Sequence, residues 1–177
     1  MSRTNPFKKK RRSAKTAMLV YGEGQSEEIF LKYLRKVYTR DSGVAVTIKR
    51  GKGGTPEGVV RSAINYSGDF DRKIVIIDND KSKTEMENAR EKARAHSIEL
   101  IENTPCLEAL LLSILQDIDF KSRSSAWCKR EFEKKYIAKK QRTETHRYEK
   151  LFPKNNLEKQ RKRIIILDQL ISVIEGC

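Results

Sequence analysis

No run of apolar residues in this 177-residue chain approaches the roughly 20 needed to cross a bilayer, and the N-terminus lacks the apolar segment of a secretory signal. The expectation is therefore a cytoplasmic protein with no membrane partner. Cysteine is scarce: Cys106, Cys128 and Cys177 are odd in number and far apart, which excludes both a disulfide framework and a zinc-ligand spacing and suits reduced thiols. Histidine is scarcer still, and His96 and His146 stand in charged helical surroundings that mark them as surface residues. Acid is missing from the first 16 residues, which carry seven Lys or Arg.

What is present is charge, unevenly spread. Charged residues are 35% and apolar ones 37% of the chain, a soluble globular composition, and 20.5 kDa suits a single domain with one core. Residues 17–120 hold 15 basic against 17 acidic side chains, whereas 121–163 hold 16 against 5, and the net charge is +14. A slightly acidic centre between two basic flanks is the footprint expected when the flanks neutralise phosphates and the centre keeps its carboxylates for another purpose. Solvation of helices by Lys and Arg is the plainer reading, although so one-sided an excess is not needed for solubility.

The periodicity alternates. AMLVY (17–21) has strand length, and EEIFLKYLRKVY (27–38) repeats apolar residues at helical spacing. VAVTIK (44–49) reads as a second strand, followed by a glycine-rich loop and a helix that Thr55 caps, Pro56 opens and Tyr66 ends. KIVIID (73–78) is almost continuously apolar, as a strand buried on both faces would be. A charged helix over 83–96, a short strand IELIE (98–102) and a helix opened by Thr104 and Pro105 follow. Strands separated by helices imply right-handed crossovers and an α/β fold with a mainly parallel four-stranded sheet. The last third reads as helices with a polar connection near Pro153, ending in RIIILDQLISVIE, whose apolar residues surround the helix and need burial or a partner. The organisation expected is a basic disordered tail (1–15), an α/β core (16–120) and a basic helical extension of the same domain (121–177).

Ligands of an open parallel sheet bind at the carboxyl ends of its strands, and acidic residues collect there. Glu23 follows the first strand between Gly22 and Gly24, glycines that allow a sharp turn and leave space for a phosphate. Asp78 and Asp80 close the third strand on the same side of an extended chain, and Glu108 lies in the first turn after the fourth. Carboxylates converging without a paired base repel one another, and a divalent ion resolves the repulsion. Oxygen ligands without nearby His or Cys favour Mg²⁺ or Mn²⁺. Structural readings stand beside these: Glu27 and Glu108 as complements of helix dipoles, the two aspartates as a strand-to-helix turn and cap, and RGKGGTPEG as a βα loop whose Lys52 does not make a Walker sequence.

GEGQSEEIF, RGKGGTPEGVV, IVIIDND and NTPCLEALLL, in that order over roughly residues 10–120, resemble the RloB-like proteins, which pair a Toprim-type core with an NPCFE helix start and a basic N-terminus. The chain departs from that pattern at Thr104, at Leu107 in place of the aromatic, and in ALLL for LWLL. The resemblance implies a Toprim-like fold and a metal-dependent nuclease or phosphodiesterase in anti-phage or foreign-DNA defence, often beside an AAA-type or ABC-type ATPase. It implies that Asp78 and Asp80 hold the metal, that Glu23 is a ligand or the general acid/base group, and that Glu27 and Glu108 complete a second site. Lys8, Lys9, Lys10, Arg11, Arg12 and Lys52 would hold DNA or RNA, and nothing resembles a topoisomerase tyrosine, so hydrolysis is the reaction implied. Two other classes stay open, a non-catalytic nucleic-acid or nucleotide binding module and an adaptor subunit of an ATPase complex, as does a homodimer.

Overall fold

The computed structural model describes residues 16–39 and 43–177. Four strands, β1 (Thr16–Gly22), β2 (Val44–Arg50), β3 (Arg72–Asp78) and β4 (Glu99–Asn103), pair in the order β2-β1-β3-β4, every pair parallel. The helices between them are α1 (Gln25–Tyr38), α2 (Pro56–Ile64) and α3 (Lys83–Ala95). After β4 come α4 (Leu107–Gln116), α5 (Ser125–Lys135), a 3₁₀ turn (Lys139–Gln141), α6 (Thr145–Leu151), α7 (Lys154–Arg161) and α8 (Ile165–Glu175). None of the described helices is long and apolar enough to cross a membrane.

Alternation along β3 explains the two layers. Ile74 and Ile76 face a core built with α1, α4 and the C-terminal helices, while Val75 and Ile77 face a smaller core with α2 and α3. All four are buried, as the unbroken apolar run of this strand requires. The C-terminal helices complete the larger core: Phe30 of α1 lies against Tyr148 and Phe152, and α8 buries Leu167, Leu170, Ile171, Val173 and Ile174. Packing against α1, α7 and β4 thus supplies the burial that the apolar last helix needs.

Local signals set several boundaries. Thr55 accepts a hydrogen bond from the Gly58 amide at 3.2 Å with Pro56 in the first turn, although α2 stops at Ile64, short of Tyr66. Ser82 and Glu85 form a capping box on α3, so the cap of that helix is neither Asp78 nor Asp80. The start of α4 differs from the expectation. Cys106 is extended, Leu107 is the first helical residue, and Thr104 and Pro105 lie outside. The Leu107 amide donates at 2.9 Å to Asp78 Oδ1, so the cap comes from β3, 29 residues away.

Gly22 marks a close approach. A Cβ there would stand 2.7 Å from Glu27 Cβ, so its missing side chain makes room for α1 rather than for a phosphate. Gly24, the residue before α1, has φ −143°, an extended backbone open to any residue.

Candidate metal and phosphate site

β1 and β3 are neighbours, yet the chain leaves them for opposite sides of the sheet, to β2 and to β4. A crevice opens beyond their carboxyl ends at such a switch point. Glu23, Gln25, Ser26, Glu27, Gly53, Asp78, Glu108, Lys129 and Arg142 are among the residues lining a pocket of about 300 Å³ there. The structure brings together four of the five acids expected as metal ligands. Asp80 is not part of the lining but is tied to it, since Lys129 Nζ stands 3.4 Å from Asp78 Oδ2 and 3.7 Å from Asp80 Oδ2.

Each acid has its own hold. Glu23 Oε2 accepts the Asp78 backbone amide at 3.1 Å, which ties the end of β1 to the end of β3 and makes the side chain less freely presented than its glycine flanks suggest. Glu27 Oε2 accepts the Gly24 amide at 2.9 Å and so caps its own helix from inside the pocket. Glu108 is 3% exposed, which rules out a surface complement to the helix dipole, and its Oε2 has no hydrogen-bond partner among the described residues. Arg142 Nη1 lies 4.0 Å from Glu108 Oε1, and the same guanidinium pairs with Glu133.

Burial makes Glu27 and Asp78 expensive to ionise. It pushes the Glu27 carboxyl up to about 7, with the charges of Glu108 and Glu23 adding to the effect and backbone hydrogen bonds opposing it. Burial likewise pushes Asp78 up to about 8; the Glu27 charge adds to this and Lys129 opposes it. Burial works against the charge of Lys129, yet the carboxylates, Asp78 foremost, outweigh it and raise its pKa.

Two expectations are corrected here. The acids are not without a base: Lys129 on α5 and Arg142 before α6 face them, because the basic segment 121–163 folds back over the sheet edge. Nor is the site free of sulfur, since one ligand atom each from Asp78, Cys106 and Glu108 lies within 4.8 Å of the others. Cys106 is fully buried, and burial reinforced by the Glu108 charge pushes its thiol up, so in the metal-free site it stays protonated. Glu27 and Asp78, which cost energy to ionise, and the unpartnered oxygen on Glu108 are a donor set that fits a cation.

Lys52 is exposed and outside the pocket lining, although its neighbour Gly53 lines it. The segment Lys8, Lys9, Lys10, Arg11 and Arg12, like the whole expected tail, lies outside the described residues. His146 is exposed beside Glu144, and His96 is exposed at the end of α3. No sequence motif singled out Lys129 or Arg142, and Cys106, although it lies in NTPCLEALLL, was not read as part of the site. The excess of base over 121–163 was the available signal for the first two.

A parallel sheet with a carboxylate cluster at its switch point places the protein among α/β proteins with an acidic site at the strand ends. The family model described as RloB-like protein matches residues 18–171, and the chain belongs to that family. No curated protein matches the sequence. One solved structure, the C-terminal region of the Burkholderia pseudomallei OLD protein, is similar over 92% of this chain and 91% of its own, at 14% identity and a TM-score of 0.38.

Proposed function

We propose that the protein is a metal-dependent phosphodiesterase of Toprim type that cuts DNA or RNA. The observation that carries this reading is the pocket itself: buried Glu27, Asp78 and Glu108 meet Lys129 and Arg142 beside the N-terminus of α1. Carboxylates alone would suit a cation and basic groups alone an anion. Both together suit a divalent ion and the phosphate it binds.

Asp78 and Glu108 would hold Mg²⁺ or Mn²⁺, with Asp80, Glu23 and Glu27 at its margin. The bound ion would polarise the phosphate and lower the pKa of an attacking water. Glu23, fixed by the Asp78 amide, would take or return the proton at the 3′ oxygen. Lys129 would hold the phosphate, since its long, 40% exposed side chain can turn from the aspartates toward it. Gln25 and Ser26, at the start of α1, present early helix amides of the kind that bind phosphate oxygens. The basic N-terminal segment and Lys52 would hold the rest of the strand. Family membership carries with it the proposal of a defence role beside an AAA-type or ABC-type ATPase.

One observation favours a second reading. Lys129 already neutralises Asp78 and Asp80, as it would in a nucleic-acid or nucleotide binding module, or an ATPase adaptor, that uses no metal. Incubation with plasmid, single-stranded DNA and total tRNA, in Mg²⁺, Mn²⁺ or EDTA, separates the two. Divalent-dependent cleavage that Asp78→Ala abolishes is the expected result. Binding without cleavage under every condition would overturn the enzyme reading.

A further inference from the structure

A second pocket, of about 240 Å³, lies between the end of β4, α4 and the turn from α7 into α8. Asn103 and Asp78 are register partners on adjacent parallel strands. The two-residue repeat puts both on the face of the larger core, where Ile76 and Ile101 precede them. The second pocket is therefore one strand away from the carboxylate site, on the same side of the sheet.

An unpaired polar group lies buried at its floor. Asn103 is 1% exposed, and neither its Oδ1 nor its Nδ2 has a hydrogen-bond partner among the described residues. A buried carboxamide with both ends unpaired by protein forfeits two hydrogen bonds, a cost that a water or the polar edge of a ligand would offset. Leu110, Ile164 and Ile166 supply apolar walls, and Ile165 at the mouth is 73% exposed. Two cations stand at the rim. Arg163 is fixed by the Ser113 carbonyl at 3.0 Å and by Asp117 at 3.0 Å, while Lys121 is largely exposed, 3.5 Å from Asp119.

A carboxamide sets a donor beside an acceptor. The adenine edge formed by its amino group and N7 is the complement, and an Asn pairs with it through two hydrogen bonds. Apolar walls suit the faces of a flat ring, and basic groups at the rim suit the phosphate that follows it. We propose that this pocket takes an adenine base, held by two hydrogen bonds to Asn103 with its phosphate toward Lys121. The base comes either from the strand bound at the neighbouring carboxylates or from a free adenine nucleotide. The strand source rests on the nuclease reading; the pocket does not.

Titration calorimetry of the full chain with AMP, 7-deaza-AMP, adenosine and ribose 5-phosphate tests it. AMP and adenosine should bind saturably, 7-deaza-AMP, which lacks the N7 acceptor, more weakly by about tenfold, and ribose 5-phosphate not at all. Asn103→Leu keeps the branched four-atom side chain, at a somewhat larger volume, and removes the unpaired amide. It should melt at or above the wild-type temperature and lose AMP affinity by about tenfold or more. Lys121→Ala, at an exposed position, should weaken AMP and leave adenosine unchanged. Absence of AMP binding by the wild type, or equal binding by Asn103→Leu, would overturn the proposal. Oligonucleotides with adenine or 7-deazaadenine next to the cut identify the source. Slower cleavage of the deaza strand indicates a strand base, and equal cleavage with AMP binding intact indicates a free nucleotide. A chain that cleaves nothing but binds AMP through Asn103 would sink the nuclease reading and leave this one standing.

Discussion

Replacing Asp78 with Asn removes one charge from the buried cluster while keeping its shape. The Oδ1 of the variant still accepts the Leu107 amide, and Lys129 keeps Asp80 within 3.7 Å. The folded protein holds the Asp78 proton up to about pH 8, whereas an ordinary Asp releases it at 3.8. Between those values the native state binds more protons than the unfolded chain, so metal-free stability falls as pH rises through the window. At roughly 1.4 kcal/mol per pH unit the cost at pH 7 has an upper bound of about 4 kcal/mol. Loss of the half-exposed Lys129 pair offsets about 1 kcal/mol of the relief. Asp78→Asn should therefore be more stable than the wild type by about 1–3 kcal/mol at pH 7.5 in EDTA, and equal to it near pH 4. Urea denaturation at several pH values measures the gap. With millimolar Mg²⁺ or Mn²⁺ the wild type should gain stability, and more so as pH rises past 7 and Glu27 ionises, while the variant gains little. A variant that is less stable at pH 7.5 in EDTA, or a gap that does not change with pH, would refute the electrostatic account of this site.

Glu23→Gln retains an acceptor for the Asp78 amide, so fold and nucleic-acid affinity should persist while metal-dependent cleavage falls by about 10²-fold. Full cleavage in a preparation shown free of contaminating nuclease would remove the proton-transfer role. Lys129→Met should bind divalent ions more tightly, because the competing cation is gone, and reduce the salt slope of nucleic-acid binding by about 1. An unchanged slope would take Lys129 off the phosphate. Gly22→Ala, whose new Cβ would meet Glu27 Cβ at 2.7 Å, should lose about 1–3 kcal/mol of stability in urea; an unaltered midpoint would mean that α1 can yield.

How far these residues declare themselves depends on the range of the interaction. The βα alternation, the doubly buried β3 and the Thr55 cap on α2 follow from hydrophobic period and capping chemistry within a few residues, and the sequence alone determines them. It also places Glu23, Asp78 and Glu108 at strand or helix ends, where a parallel sheet binds its ligands. The tertiary structure decided the rest. The start of α4 was misread because Pro105 and Thr104 make a plausible local cap, whereas the actual cap is Asp78, a distant oxygen no local pattern encodes. Lys129 and Arg142 looked like two among many bases of a solvated segment. Only the packing of the helices after α4 against the sheet sets them over the carboxylates. Asn103 fell just beyond the strand read over 98–102, and its isolation became visible once α4 and α8 closed around it. Period and caps act between neighbours in the chain, while burial and charge pairing act between neighbours in space. The strand ends are therefore fixed by the first, and what meets there by the second.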